Sequence, residues 1–341
     1  MTTIDDILFP PIEPYESGYV NVDNIHSLYW EQCGNPDGVP VVYLHGGPGS
    51  GCDEKSRCFF DPEYYRVILF DQRGAKKSKP LGETENNSPE HLVSDIEVLR
   101  NMFGVEKWHV FGGSWGSALG LLYAQTHPDR CLGLILRSIT FFEKEELDWW
   151  FQGMGNFFPE LWEDFAAITQ EEKQDNLVSV YYDMFMSDNE EIRIKAGKAM
   201  QTYGRGCGSL LPSPINSDWN DPDYAAHTIA FYKMFVYYCV HHRFESGKLL
   251  DGVAGMRDIP GIIVQGRYDV ICPPVMAHKL HRAWPEAEYV IVPDASHSSR
   301  ETSLAAALVQ ATEKFKKVSE NHAVMNYCIL AQHQDAERRS L

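Results

Sequence analysis

Val110-Phe111-Gly112-Gly113-Ser114-Trp115-Gly116-Ser117-Ala118 is the stretch that decides the fold. An apolar run enters G-x-S-x-G and a segment rich in Ala, Leu and Gly leaves it, which reads as a strand, a tight turn carrying a serine, and a helix. Such a nucleophile elbow holds Ser114 in strained backbone geometry. Gly112 and Gly116 leave room around it, and Ser117 and Ala118 let the helix pack closely. The hydroxyl stands at a helix N-terminus, where developing negative charge is stabilised.

Outward from the elbow, short apolar runs bounded by Gly, Pro and Asp recur at Val41–Leu44, Val67–Phe70, Trp108–Phe111, Leu134–Leu136, Ile262–Val264 and Tyr289–Val292. These read as buried parallel strands. Helical stretches lie between several of them. In the stretch from Ser88 to Met102, Ser88 caps, Pro89 opens the first turn, and Leu92, Ile96 and Leu99 repeat on one face. Alternating strand and helix predicts a doubly wound α/β sheet with helices on both faces. Gly18–Val22 and Ser27–Glu31, around Asp23-Asn24, predict an antiparallel hairpin on the sheet edge.

The alternation breaks between Leu136 and Ile262. Residues 141–242 turn helical and acidic and hold 20 of the 42 Phe, Trp and Tyr residues, an excess that marks an inserted subdomain. An insertion at the C-terminal edge of such a sheet sits over the ligand crevice, so it reads as a cap. The expected organisation is a core of 1–140 and 243–318, a helical cap over 141–242, and a partly disordered or loosely packed tail over 319–341 that follows a helix at Ser303–Lys317.

The 30 basic and 48 acidic residues leave a net charge of −18, which repels nucleic acid and anionic lipid. The start, Met1-Thr2-Thr3-Ile4-Asp5-Asp6, is acidic where a signal peptide is basic, and no apolar run approaches the ~18 residues of a membrane span. A soluble cytoplasmic protein with no nucleic-acid or membrane partner is expected, with no signal for its oligomeric state. The eight cysteines are scattered without C-x-x-C pairs or clustering with His, so free thiols are expected and neither a metal nor another cofactor.

A serine hydroxyl is a weak nucleophile until an imidazole removes its proton. The order expected after an elbow serine is acid, then histidine. Ile262-Ile263-Val264-Gln265-Gly266-Arg267-Tyr268-Asp269 ends a strand with an acid, and Val290-Ile291-Val292-Pro293-Asp294-Ala295-Ser296-His297 ends the next with a loop histidine. Both fall on the strand edge that carries Ser114. Asp269 would hold His297 in its working tautomer, with Asp294 as the rival acid. The glycine loop Leu44-His45-Gly46-Gly47-Pro48-Gly49-Ser50-Gly51 lacks the patterns of a phosphate cradle and instead suits an oxyanion hole, with Gly47 and Trp115 as the backbone donors.

H-G-G-P-G at 45–49, Asp71-Gln72-Arg73-Gly74, Gly112-Gly113-Ser114-Trp115-Gly116 and Gly266-Arg267-Tyr268-Asp269 together resemble the prolyl aminopeptidases, or proline iminopeptidases, of the α/β-hydrolase superfamily. The match covers roughly 16–317 and is weakest across the cap. It implies the α/β-hydrolase fold with an eight-stranded type of sheet, and a metal-independent serine peptidase that removes an N-terminal proline, with Ser114, Asp269 and His297 as triad.

The resemblance also implies two cap glutamates for the free amino group of the substrate. The matching segments read Ala199–Gly204 and Tyr232–Val236, with Gly204 and Met234 near the expected positions and no Glu in either. Asp218, Asp221 and Asp223 are the cap acids that could substitute, and Trp149, Trp150 and Phe157 could wall an apolar pocket. Proline iminopeptidase activity leads. An esterase or amidase for a small neutral hydrophobic substrate is the alternative, and a non-catalytic ligand receptor is disfavoured by a complete set of triad residues.

Overall fold

The computed structural model describes residues 3–211 and 217–316, so the tail expected over 319–341 lies outside them. Eight strands form one sheet in the order β1-β2-β4-β3-β5-β6-β7-β8. They are β1 (Glu16–Asn21), β2 (Ser27–Gly34), β3 (Val39–Leu44), β4 (Tyr65–Phe70), β5 (Trp108–Gly113), β6 (Cys131–Arg137), β7 (Gly261–Gly266) and β8 (Glu288–Val292). The edge hairpin β1–β2 is antiparallel and β2 runs antiparallel to β4. Every pairing from β4 across to β8 is parallel. Parallel strands buried on both faces explain the near-continuous apolar runs in the sequence.

Successive side chains on a strand point to opposite faces. Val42, Leu44, Ile68, Val110 and Leu134 therefore enter one core, with helices α1 (Pro89–Met102) and α2 (Trp115–Thr126) packed over them. Val41, Val67, Leu69, Phe111 and Ile135 enter the other, under the helix at 302–316. Ser88 caps α1 by accepting from His91 N, and Leu92, Ile96 and Leu99 are its buried stripe. Short α8 (Lys248–Asp251) leads into β7, and α9 (Pro274–Ala283) joins β7 to β8.

Helices α3 (Lys144–Phe151), α4 (Pro159–Ala166), α5 (Leu177–Phe185), α6 (Glu190–Cys207) and α7 (Pro222–His241) fill the sequence between β6 and β7. Their aromatic excess is accounted for by a stacked core in which Phe165 lies between Tyr181 at 4.6 Å and Tyr203 at 4.4 Å. Long α7 lies on the elbow, where the Tyr238 ring meets Trp115 edge-on at 5.0 Å and its hydroxyl donates to Asn87 Oδ1. Among the described residues, no helix is long and apolar enough to cross a membrane, and seven cysteines are free thiols.

Candidate active site

The turn after β5 has the geometry its glycines allow. Ser114 has φ 56° and ψ −127°, a strained backbone that persists only where its surroundings over-determine it. A Cβ on Gly112 would lie 2.1 Å from the Gly116 carbonyl oxygen, and one on Gly116 would lie 2.1 Å from that of Leu44. Neither position admits a side chain. Ser114 N donates to the Arg137 carbonyl at 2.9 Å, and Ser117 Oγ donates back to the Ser114 carbonyl at 2.7 Å.

Asp269 follows β7 and is buried. Its carboxylate accepts from Cys272 N at 2.8 Å, and His297 Nδ1 stands 3.1 Å from each of its oxygens. Burial pushes the Asp269 carboxyl up, but the His297 ring beside it and the hydrogen bonds from Cys272 N and Ser138 outweigh that and hold it below the ordinary range. The rival, Asp294, is exposed and accepts from Ser303 Oγ. The His297 carbonyl is fixed by Arg137, which donates to it at 2.6 Å. Ser114 Oγ forms no hydrogen bond to His297 in this structure, although both face one cavity; such bonds are often loose before substrate binds.

The glycine loop is bolted to the elbow by one network. His45 Nδ1 donates to the Gly46 carbonyl and its Nε2 accepts from Gln72 N, both at 2.9 Å. Burial brings that imidazole down to about 4, so it is neutral. The Gln72 side chain donates to the His45 carbonyl and accepts from Trp115 Nε1, each at 3.0 Å. H-G-G-P-G, D-Q-R-G and G-G-S-W-G are therefore one hydrogen-bonded unit. Gly47 has φ +116°, and a Cβ there would sit 2.5 Å from Gly49 N, which restricts the position to glycine.

The shared cavity holds about 430 Å³ and is walled by Gly46, Gly47, Phe142, Trp150, Phe235 and Cys272 around Ser114. Of the aromatic residues singled out in the sequence, Trp150 lines it. Trp149 instead donates through Nε1 to the Val270 carbonyl, bracing the Asp269 loop. Phe157 is 64% exposed and packs on Trp149, outside the cavity. Asp218, Asp221 and Asp223 are also exposed and outside it. Asp221 caps α7 and Asp218 accepts from Asn220 N, so these acids shape the approach to α7.

The two positions matched to glutamates part ways. Gly204 lines the cavity. Met234 is buried behind it against Gly49, Gly74 and Asn87. Sequence reasoning missed three residues: Cys272, whose Sγ lies 3.9 Å from Ser114 Oγ; Arg137; and Glu146, a buried carboxylate on the cavity wall. Glu146 accepts from Thr140 Oγ1 and from the N–H groups of Phe141 and Glu143, and sits where a capping box would place it.

A model of the alpha/beta hydrolase fold family matches residues 39–303. The chain is 45% identical over 312 residues to a probable proline iminopeptidase of Leptolyngbya boryana, covering 90% of this chain and 96% of that one. It is 46% identical over 313 residues to the proline iminopeptidase of Arabidopsis thaliana, covering 91% and 82%. The chain belongs to the proline iminopeptidase family. The fold of this iminopeptidase relative extends more widely: an esterase from Exiguobacterium antarcticum superposes with a TM-score of 0.60 at 16% identity, covering 88% of this chain and all of that one. Gly204, at a cap position where the resemblance read in the sequence implies a glutamate, stands on the wall of the cavity.

Proposed function

We propose that this protein is a serine aminopeptidase of proline iminopeptidase type, releasing N-terminal proline from small peptides through an acyl-enzyme. The observation that carries the chemistry is the clasp of His297 by Asp269 at the rim of the cavity that Ser114 faces. His297 takes the Ser114 proton as Oγ attacks the prolyl carbonyl carbon, and Asp269 keeps Nδ1 protonated so that Nε2 is the base. The oxyanion is met by the backbone N–H groups of Gly47 and Trp115, donors fixed before the reaction begins. His297 then returns the proton to the departing amine, and water repeats the sequence on the ester to free proline and Ser114.

Helices α3 to α7, the cap over 141–242, close the apolar end of the cavity with Trp150 and Phe235 and so suit a compact ring such as pyrrolidine. Free thiols are the form that a reducing compartment maintains, which supports a cytoplasmic enzyme. Gly204 on the cavity wall favours a second reading, an esterase or amidase for a neutral acyl group, because a buried substrate ammonium without a carboxylate partner costs several kcal/mol. The test is kcat/KM for a Pro-arylamide, its N-acetyl form and a neutral acyl ester. The aminopeptidase reading expects the free-amine substrate to lead, and preference for the ester gives way to the second reading.

A further inference from the structure

The chain as a whole carries −18, yet the walls around Ser114 run the other way. Among the described residues, Lys55, Lys76, Arg137, Arg205 and Arg300 face the cavity against Asp53 and Glu146. Burial pushes Glu146 up to about 7, so its negative charge is partial near neutrality. Three of the five cations are committed: Arg137 to the His297 carbonyl, Arg300 to Asp53, and Lys55 to Asp5 at 3.0 Å. Lys76 Nζ donates to the Cys52 carbonyl and lies near the buried Asp71 carboxylate, so its charge is partly matched. The Arg205 side chain makes no hydrogen bond or ion pair among the described residues. It follows Gly204 in the last turn of α6.

A second cleft of about 800 Å³ adjoins the first, and Asp53, Lys76, Arg205, Phe231, Tyr232 and Arg300 are among the residues that border both. Lys76 and Arg205 therefore stand where the reactive chamber meets the second cleft. With the proline ring at the enclosed end by Trp150 and Phe235, the departing part of the peptide extends outward past them. In a di- or tripeptide that part carries the free C-terminal carboxylate, one or two residues of about 3.8 Å each beyond the scissile bond. A guanidinium meets a carboxylate through two parallel N–H donors.

We propose that Arg205, assisted by Lys76, recognises the C-terminal carboxylate of short substrates, which makes the enzyme selective for di- and tripeptides over C-terminally blocked ones. The inference rests on the aminopeptidase reading. The two are separated by measuring kcat/KM for prolyl-alanine, prolyl-alanine amide and a Pro-arylamide with the parent enzyme, Arg205→Gln and Arg205→Lys. The free carboxylate is expected to be preferred over the amide by about fivefold or more at low salt, the scale of a partly exposed charge pair.

The preference should reside in KM and shrink at about 0.5 M salt, where screening is short-ranged. Arg205→Gln should bring the ratio near one, and Arg205→Lys should restore part of it. Equal kcat/KM for acid and amide in the parent, or a ratio untouched by Arg205→Gln, overturns the inference. The salt series on the parent decides the matter should the variant fold poorly. Arylamide turnover without carboxylate preference rejects only this inference; no turnover of any of the three rejects the aminopeptidase reading and this inference with it.

Discussion

His297 Nδ1 stands equally, at 3.1 Å, from the two carboxylate oxygens of Asp269. In the neutral ring that clasp favours the tautomer with the proton on Nδ1, which leaves Nε2 as the acceptor. Asp269→Asn replaces an acceptor-only group with an amide that can donate to Nδ1 and so favours the wrong tautomer. kcat should fall by ~10⁴ with the fold intact, and Ser114→Ala should lose ~10⁴–10⁶. Steady-state kinetics beside circular dichroism checks both, and a chelator should leave turnover unchanged. Undiminished turnover in a folded Ser114→Ala enzyme removes Ser114 from its role.

Much of this site was legible in the sequence because its parts are short and locally determined. The elbow announces itself by glycines that a side chain would drive into Gly116 and Leu44. Asp269 and His297 were placed by strand ends, and parallel strands put their C-termini on one edge whatever lies between. The 141–242 insertion was harder. Its aromatic residues read alike in sequence, yet Trp150 reaches the cavity, Trp149 braces the Asp269 loop, and Phe157 faces solvent. Helical packing between distant segments decides which face points inward, and no local pattern encodes it. Glu146 was hidden for the opposite reason, being a capping residue by pattern that tertiary folding also buries on the cavity wall.

Glu146 gives stability a distinctive pH dependence. Burial raises its carboxyl to about 7, against the hydrogen bonds it accepts from Glu143 N, Thr140 and Phe141 N. The ordinary value is ~4.3, so the folded state binds the proton more tightly than the unfolded one. Its contribution is complete below the ordinary value and is lost as pH rises through about 7. Up to ~4 kcal/mol is involved. Urea midpoints at pH ~5 and ~8 should differ less for Glu146→Gln than for the parent, where the charge must be buried. An identical difference in both would mean that Glu146 ionises freely in the fold.

Arg73 makes a different kind of prediction. It is almost wholly buried and meets Asp95 through two hydrogen bonds of 2.7 Å, while its third nitrogen donates to Asp23 at 2.6 Å. Asn87 then ties the Arg73 carbonyl to Tyr238 of α7. Removing one partner of a buried pair strands the other charge, so Asp95→Ala should destabilise by ~3–5 kcal/mol. Asp23→Ala should cost less, since that carboxylate is 24% exposed. Equal losses at the two positions in chemical denaturation would contradict this ordering.

Gly204 offers the most direct test of how the cavity treats a substrate amine. A Cβ at this position would lie 3.4 Å from the Tyr232 hydroxyl and 3.7 Å from the Trp150 ring, ordinary contact distances. The residue lies in the last turn of α6, where a larger side chain also relieves part of the ~1 kcal/mol that a helical glycine costs. Gly204→Glu should therefore fold and extend a carboxylate along the wall that Trp150 shares. A paired charge contact in a desolvated site is worth ~2–5 kcal/mol, or roughly 30- to 5000-fold. The preference for a Pro-arylamide over its N-acetyl form should rise by at least ~10-fold in the variant, mainly through KM. If the parent already prefers the free amine by more than about 10³-fold, Glu146 and Asp53, the carboxylates on the cavity wall, are the groups to neutralise next. Asp218, Asp221 and Asp223 lie outside the cavity and should leave the ratio unmoved. A folded Gly204→Glu enzyme with an unchanged ratio would mean that the substrate nitrogen binds elsewhere than beside Gly204.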